Sequence, residues 1–182
     1  MSRRISRPYA AALFEVLKRE EISGLRAAEG ELALALAVFQ REPELFRVFE
    51  VPAVPPATKR ELLGALVSGL GLKSPAARLL AALAEHVRLR LLAEVLDAFR
   101  ALVDRREGVV RGRVETPVAL SDDQRIALAT ALATLAGGRV ELEAKVQPEL
   151  LAGFVVRLGS QVFDGSLAAQ LRRFAAAAEA RS

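Results

Sequence analysis

The only histidine of the 182-residue chain, His86, is the side chain best suited to acid–base chemistry near neutral pH. It lies in a segment with helical patterning, and the chain contains no cysteine. A histidine base would therefore have no thiol to activate, and thiolate zinc sites and disulfide frameworks are excluded. We interpret His86 as a surface or interface histidine, and we expect no catalytic residue, no bound metal and no cofactor.

A glycine-rich segment, residues 69–74, superficially resembles a phosphate-binding loop. That motif needs a glycine directly before its lysine, but here Leu72 precedes Lys73. The glycines instead indicate the end of one helix, and Ser74 with the proline after it indicates the start of the next.

Two pairs of carboxylates could serve acid–base or metal chemistry if they were buried together. Asp122 and Asp123 fall in the predicted first turn of a helix, where negative charge is favoured by the helix dipole. Glu141 and Glu143 alternate with apolar residues, which places them on the wet face of a predicted strand. Neither pair predicts a reaction centre.

A local cluster of arginines is the best candidate for binding an acidic partner: Arg105, Arg106, Arg111 and Arg113. No aromatic residues are interleaved with them, so the stacking platform of single-strand binders is missing. The basic excess is also small in each part of the chain, 15 against 13 for residues 1–104 and 11 against 9 for residues 105–182. We favour a solvated face or salt bridges between elements, and an RNA- or DNA-binding accessory protein stays open as the alternative.

These residues lie in two regions with different hydrophobic periodicity, one helical and one containing strand alternation, which predicts two domains. Residues 1–105 show helical periodicity and no strand pattern, and we predict an all-α six-helix bundle. Helix one is expected to begin near Ser6, with Pro8 in its first turn. Thr58 and Glu61 form a capping-box pattern that predicts the start of helix four.

Residues 106–182 are predicted to form a small α+β domain. Alternating apolar residues predict two half-buried strands, one around Val114 and one around Leu142, whose outward rows carry opposite charge and could complement each other. Between them Ser121 and Gln124 match a capping box, and Gly153–Gly159 supplies a third strand. A last helix is expected to follow Ser166. No run reaches the ~18 apolar residues of a membrane span, so we expect membrane association only through a partner.

The order of these parts, together with several motifs, resembles the F-type ATP synthase delta subunit family, which includes the mitochondrial oligomycin-sensitivity-conferring protein. The motifs are the opening segment at residues 6–15, Val51-Pro52 before helix four, Arg88-Leu89 before helix six, and the run from Gly153 through Asp164-Gly165-Ser166. One departure is His86-Val87, where the family commonly has Asn-Gly, which leaves open a longer helix five.

The resemblance implies a non-catalytic stator subunit that links the catalytic alpha/beta head to the peripheral b-subunit stalk, so that the head resists rotor torque during proton-driven ATP synthesis. It implies no direct binding of nucleic acid and a place at the cytoplasmic face of the bacterial inner membrane. In the family, N-terminal helical segments of the alpha subunits bind in a groove between helices one and five. Here its walls would include Tyr9, Ala12, Leu13, Val16, Ala76, Leu79, Leu80 and Leu83.

For the C-terminal region of the b subunit, the resemblance implies a contact with the C-terminal domain. We expect it on the apolar side of the last helix, with Leu167, Leu171 and Phe174. Any of these groove and stalk residues could instead belong to the core of its own domain, and the sequence leaves that choice open.

Overall fold

The structure, a computed structural model, describes residues 3–150, 152–159 and 161–166. The chain divides into two compact units, Met1–Glu107 and Gly108–Ser182. The first is helical and the second contains a small mixed sheet, as the change of sequence period from 3.6 to 2 predicts. The coarse prediction of a helical N-terminal part followed by a small α+β part is therefore confirmed.

The first unit is built from helices joined by short connections. A single 3₁₀ turn, Leu89–Leu91, precedes the last of them. The helices are α1 (Arg3–Leu17), α2 (Ile22–Arg41), α3 (Pro43–Glu50), α4 (Pro56–Gly69), α5 (Ser74–Glu85) and α6 (Leu92–Glu107).

The core of the first unit is made by the apolar faces that the periodicity predicts. In α2 these are Leu25, Ala28, Leu32, Ala35 and Phe39. The ring of Phe39 makes an edge contact with Phe46 of α3 at 5.2 Å between centroids. The stripe of α6 is buried as well, including Leu92, Leu96, Phe99 and Val103. Because a turn of helix returns every 3.6 residues, one face of each helix can be covered while the other stays wet.

Helix α1 begins at Arg3 and not near Ser6, so Pro8 lies inside the helix and not in its first turn. Proline has no N–H, so the carbonyl of Arg4 receives no helical hydrogen bond from residue 8, and an interior proline costs roughly 3 kcal/mol. The turn forms nonetheless because Ser6 and Ala10 are buried on the inner face of α1. Tertiary packing overrides the local preference for proline in the first turn.

Helix α4 begins two residues before the predicted capping box. Its N-cap is Pro55, which makes no side-chain cap hydrogen bond, and Pro56 occupies the first helical position. A proline at that position already has helical φ, so the helix starts there and Thr58 falls within its first turn. The prediction that Thr58 and Glu61 cap this helix is therefore wrong.

An ion-pair cluster, which we call the α2–α6 seam, joins α2 to α6. Arg26 donates to Asp104 and Glu107 of α6 at 2.6 Å each and to Glu29 at 2.7 Å, and Arg100 donates to Glu29 at 2.8 Å. Burial by itself lowers the pKa of Arg26, but the hydrogen bonds to the three carboxylates outweigh it and raise that pKa above its ordinary value. The guanidinium is therefore charged at every accessible pH.

The second unit contains β1 (Val109–Thr116), α7 (Asp122–Ala136), β2 (Arg139–Val146), β3 (Val155–Leu158) and β4 (Gln161–Asp164). The sheet order is β2-β1-β3-β4, with β1 and β2 parallel and the other pairs antiparallel. Strand β4 was not predicted, because its two apolar residues, Val162 and Phe163, are adjacent and show no alternation. It pairs with β3 from Leu158↔Gln161 to Val155↔Asp164.

Helix α7 carries the caps that the sequence predicts. The Ser121 hydroxyl accepts from the N–H of Gln124 at 3.2 Å, and the Gln124 side chain accepts from the N–H of Ser121 at 3.0 Å. Gly137 ends the helix with φ 69°. The helix packs Leu132 onto a sheet core that includes Val114, Val140 and Val156.

Two hydrogen bonds hold the end of the Gly153–Ser166 segment, whose sequence resembles the family motif. The N–H of Gly165 donates to the carbonyl of Phe154 at 2.9 Å, and the N–H of Ser166 donates to the Asp164 carboxylate at 3.0 Å. Gly153 has φ 89°, and a Cβ at this position would lie 2.3 Å from the carbonyl oxygen of Gly165. Only glycine fits there, because both the backbone angle and the close approach exclude a side chain.

Candidate docking surface

The residues first considered for chemistry do not assemble into a reaction centre. His86 is exposed at the C-terminal end of α5. Asp122 and Asp123 lie in the first turn of α7, and Asp122 pairs with Arg125 at 2.8 Å. Within the described part of the chain, no group of three or more histidines and carboxylates could hold a metal ion.

The arginine cluster is largely engaged within the chain. Arg106 donates to the carbonyl of Glu20 at 2.8 Å. Arg111 pairs with Glu141 at 3.2 Å and Arg113 with Glu143 at 3.4 Å. The last two pairs follow the parallel register of β1 and β2, in which Arg111 faces Glu141 and Arg113 faces Glu143. The predicted charge complementarity across the sheet is thus confirmed, and it leaves less positive charge for a nucleic acid.

The eight sequence-predicted groove residues separate into an inner and an outer set. The inner set is buried in the core of the first unit: Leu13, Ala76, Leu79, Leu80 and Leu83. The outer set comprises Tyr9, which is half-buried, and Ala12 and Val16, which are exposed. The structure therefore brings three of the eight to one surface and places five beneath it.

The outer set belongs to a continuous apolar row along α1, which we call the α1 stripe. It consists of Ile5, Pro8, Tyr9, Ala12 and Val16, spaced so that they fall on one side of a helix. Ile5 is 43% exposed and Val16 is 62% exposed. Helix α1 thus has an apolar inner face that packs on the core and a second apolar row on part of its outer face.

A cavity of about 360 Å³ lies on the first half of the α1 stripe. It is lined by Ile5, Pro8, Tyr9, Ala12 and Arg88. A guanidinium nitrogen of Arg88 donates to the hydroxyl of Tyr9 at 3.0 Å, and the guanidinium carbon lies 6.0 Å from the centre of the Tyr9 ring. An apolar wall with one cationic group at its edge suits an amphipathic helix better than a small substrate.

Arg88 was not among the predicted site residues, although it belongs to the Arg88-Leu89 motif. Its backbone is fixed by the end of α5, where the N–H of Arg88 donates to the Leu83 carbonyl at 2.7 Å and that of Val87 to the Ala84 carbonyl at 3.1 Å. This pattern requires a left-handed residue at position 87, and Val87 adopts φ 54°. Helix α5 thus ends at Glu85 and does not run on past His86-Val87.

A second cavity, of about 690 Å³, lies on the opposite side of α1, against α6. Small residues form much of its wall, among them Ala11 and Ala101, and Arg7, Asp97 and Arg105 line it as well. Sequence reasoning gave no indication of it, because the alanines of α1 fit a buried helix contact equally well. A larger part of its lining is polar than in the cavity on the α1 stripe.

The predicted b-stalk residues Leu167, Leu171 and Phe174 lie outside the described residues. Among the described residues of the second unit, several large apolar side chains are exposed: Val118, Ile126, Leu135, Val146 and Val162. No described helix of either unit is long and apolar enough to cross a membrane.

Comparison with known proteins gives one family. The family described as ATP synthase delta (OSCP) subunit matches residues 5–177. The chain is 32% identical over 167 residues to the ATP synthase subunit delta of Solidesulfovibrio magneticus, covering 92% of this chain and 91% of that protein. It is 36% identical over 167 residues to the ATP synthase subunit delta of Nitrobacter winogradskyi, covering 92% of this chain and 89% of that protein.

Among solved structures, a chain of the Toxoplasma gondii mitochondrial ATP synthase hexamer has a similar fold. The TM-score is 0.68 at 30% identity, and the match covers 94% of this chain and 95% of that one. The match extends over both units, so the similarity does not depend on the helical part alone. The chain therefore belongs to the ATP synthase delta (OSCP) subunit family, the non-catalytic peripheral-stalk components of F-type ATP synthase.

Proposed function

We propose that this chain links the catalytic head to the peripheral stalk through two separate contacts. The α1 stripe receives N-terminal helical segments of the alpha subunits, and the second unit receives the C-terminal region of the b subunit. Two linked contacts raise the effective concentration of each for the other, so the joint dissociates slowly although each contact alone is moderate. Slow dissociation is what holding the head against rotor torque requires.

The observation that carries the proposal is the exposure of the α1 stripe. Ile5, Ala12 and Val16 face solvent in a unit whose core is otherwise well covered. Covering apolar surface contributes roughly 25 cal/mol for each Å² removed from water, so an incoming apolar helix face gains most where such a row is continuous. Helix-in-groove recognition uses anchors with this spacing.

The inner set of groove residues has a different role in this proposal. Ala76, Leu80 and Leu83 are fully buried, so they form the floor that holds α5 against α1 and do not touch the partner directly. The outer set makes the contact. We take the six helices of the first unit as the six-helix bundle of the family, in which this floor is part of the common core.

For the stalk contact, we propose that the segment containing Leu167, Leu171 and Phe174 binds the b subunit. The support is the resemblance in the Gly153–Ser166 run, which directly precedes this segment in the sequence. No cofactor and no nucleic acid take part. The complex, at the cytoplasmic face of the bacterial inner membrane, is what brings this chain to the membrane.

The groove assignment is tested by two variants of neighbouring exposed alanines. Ala12→Glu places a charge in the α1 stripe, whereas Ala11→Glu places the same charge on the side facing the second cavity. Titrating each with a peptide of the first ~20–25 residues of the same organism's alpha subunit should show about a hundredfold loss of affinity for Ala12→Glu. Ala11→Glu should bind as the wild type does. Equal affinity of both variants would refute the assignment, and loss only in Ala11→Glu would move the contact to the second cavity.

The stalk contact is tested in the full chain. Leu171→Glu should abolish capture of the b subunit's soluble C-terminal region while the alpha peptide still binds with unchanged affinity. Retention of the b subunit by this variant, with its fold verified by circular dichroism, would contradict the assignment. The alpha peptide serves as the internal control that the first unit is intact.

A further inference from the structure

Arg88 lines the cavity on the α1 stripe, and its side chain is exposed. Within the described ranges, no carboxylate lies within ion-pair distance of Arg88. Arg4, in the first turn of α1, is exposed too, and that turn contains no acidic residue. A cation at a helix N-terminus opposes the helix dipole, so Arg4 does not stabilise α1.

Arg88 is also held more firmly than an ordinary surface arginine. The hydrogen bond from its N–H to Leu83 fixes the backbone, and the hydroxyl and ring of Tyr9 fix the side chain. A guanidinium has five N–H donors, so the bond to Tyr9 leaves others free to reach a planar anion. A partner that binds here meets a cation whose side-chain entropy is already partly lost.

The turn that positions Arg88 is strained. Val87 is the only non-glycine residue with positive φ among the described residues, and a left-handed conformation costs an ordinary L-residue roughly 1–2 kcal/mol. Its side chain is 55% exposed, so core packing does not explain the choice of residue. Strain of this kind persists where the surrounding structure fixes a backbone for a ligand.

We propose, building on the proposed function, that Arg88 is a specificity residue that binds a side-chain carboxylate of the docked amphipathic segment, with Tyr9 as its positioning residue. The cavity beside Arg88 covers Ile5 to Ala12, whereas Val16 lies one turn further along α1. The carboxylate therefore belongs to the half of the segment that lies over Ile5 to Ala12. This pairing fixes the direction of the segment along α1, which an apolar stripe alone leaves ambiguous.

A double-mutant cycle tests the pairing. The full chain and its Arg88→Gln variant are titrated at low and high salt with the alpha N-terminal peptide and with the same peptide carrying Asn and Gln in place of Asp and Glu. Arg88→Gln should weaken the natural peptide about fivefold at low salt, and the two changes together should cost no more than either alone. The salt dependence of binding should fall in the variant.

Two further variants separate a specific contact from general charge. Tyr9→Phe keeps the ring and removes the hydroxyl, so it should reproduce part of the loss through Arg88 without changing the amidated peptide. Arg41→Gln removes an exposed cation at the end of α2 and should leave both affinities unchanged. An Arg88→Gln variant with the wild-type affinity and salt slope for the natural peptide would overturn the inference. Failure of the natural peptide to bind the wild-type chain would overturn the proposed function instead, and the inference with it.

Discussion

The α2–α6 seam and the surface formed by the α1 stripe with Arg88 each depend on an arginine, but the two arginines are satisfied differently. Arg26 makes ion pairs with three carboxylates of its own chain, all with side chains less than a quarter exposed. Arg88 has an aromatic ring and a hydroxyl for neighbours, and its turn contains a strained valine. The seam stabilises the first unit. The α1–Arg88 surface instead has three features that do not favour stability: an exposed apolar row, an arginine paired with no described carboxylate, and a left-handed valine.

The C-terminal ends of α4 and α5 show a similar difference. Helix α4 ends with the hydrogen bonds seen at α5, from Leu72 to the Val67 carbonyl and from Gly71 to the Ser68 carbonyl, but its left-handed position holds glycine. The same helix-ending motif thus has the favoured glycine, Gly71, at the end of α4, and the disfavoured Val87 at the end of α5, beside the α1 stripe. Proteins commonly keep such local conflicts at functional sites.

The largest effect on stability is expected from Arg26→Met. Removing the guanidinium leaves the mostly buried carboxylates of Glu29, Asp104 and Glu107 close together, so the free energy of unfolding should fall by about 2–4 kcal/mol. Urea denaturation measures it. Arg41→Met, on the exposed end of the same helix, is the matched control and should change stability by less than about 0.5 kcal/mol. Equal effects of the two variants would contradict a stabilising role of the α2–α6 seam.

A smaller loss is expected when the favoured helix end is made like the strained one. Gly71→Val puts a β-branched residue at φ 62°, where a Cβ meets no atom within 4 Å, so the cost is confined to the backbone. We expect a loss of about 1–2 kcal/mol. No loss in thermal unfolding would show that this turn relaxes freely and that position 87 is not strained either.

The reverse change should stabilise the chain. Val87→Gly relieves the left-handed valine but makes the unfolded chain more flexible, so the net gain should be about 0.5–1 kcal/mol. The alpha peptide should at the same time bind no more tightly, because the gain belongs to the turn and not to the contact. A loss of stability in Val87→Gly would mean that the valine side chain, and not the turn, governs this position.

The smallest effect concerns a surface pair. Arg90 hydrogen-bonds to the Glu50 carboxylate, at 2.7 Å for one of its bonds, and this lowers the pKa of Glu50 below its ordinary value. A lowered folded-state pKa gives stability that is present above the ordinary pKa and lost as pH falls through the lowered one. The stability difference between wild type and Glu50→Gln should therefore shrink from about pH 6 to about pH 3. A difference independent of pH would contradict the pairing.

Local signals in the sequence predicted the parts of the fold that local interactions determine. Ser121 and Gln124 specify the start of α7, Gly137 specifies its end, and the alternating charges at Arg111 and Glu141 specify two strand faces. The sequence could not decide where α1 begins, because a proline is favoured in a first turn, whereas burial of Ser6 stabilises a helical turn before Pro8.

The sequence predicted which helices form the candidate site, but not which of their residues are exposed on its surface. Helical spacing identifies apolar faces, but it does not say whether Leu13 or Ala12 is the covered one, since α1 has apolar residues on both sides. Arg88 could not be selected from its type, because the chain is rich in arginine and its contact with Tyr9 joins residues 79 positions apart. Only the packing of α1 against α5 brings the two together.

The measurement that tests the central claim most directly is hydrogen–deuterium exchange of the full chain with and without the alpha N-terminal peptide. Binding at the α1 stripe predicts slower exchange in the amides of α1 and of residues 86–88, with exchange in the α2–α6 seam unchanged. Protection confined to α3 and α4, to the α1–α6 side or to the second unit would contradict the claim that the α1 stripe holds the catalytic head.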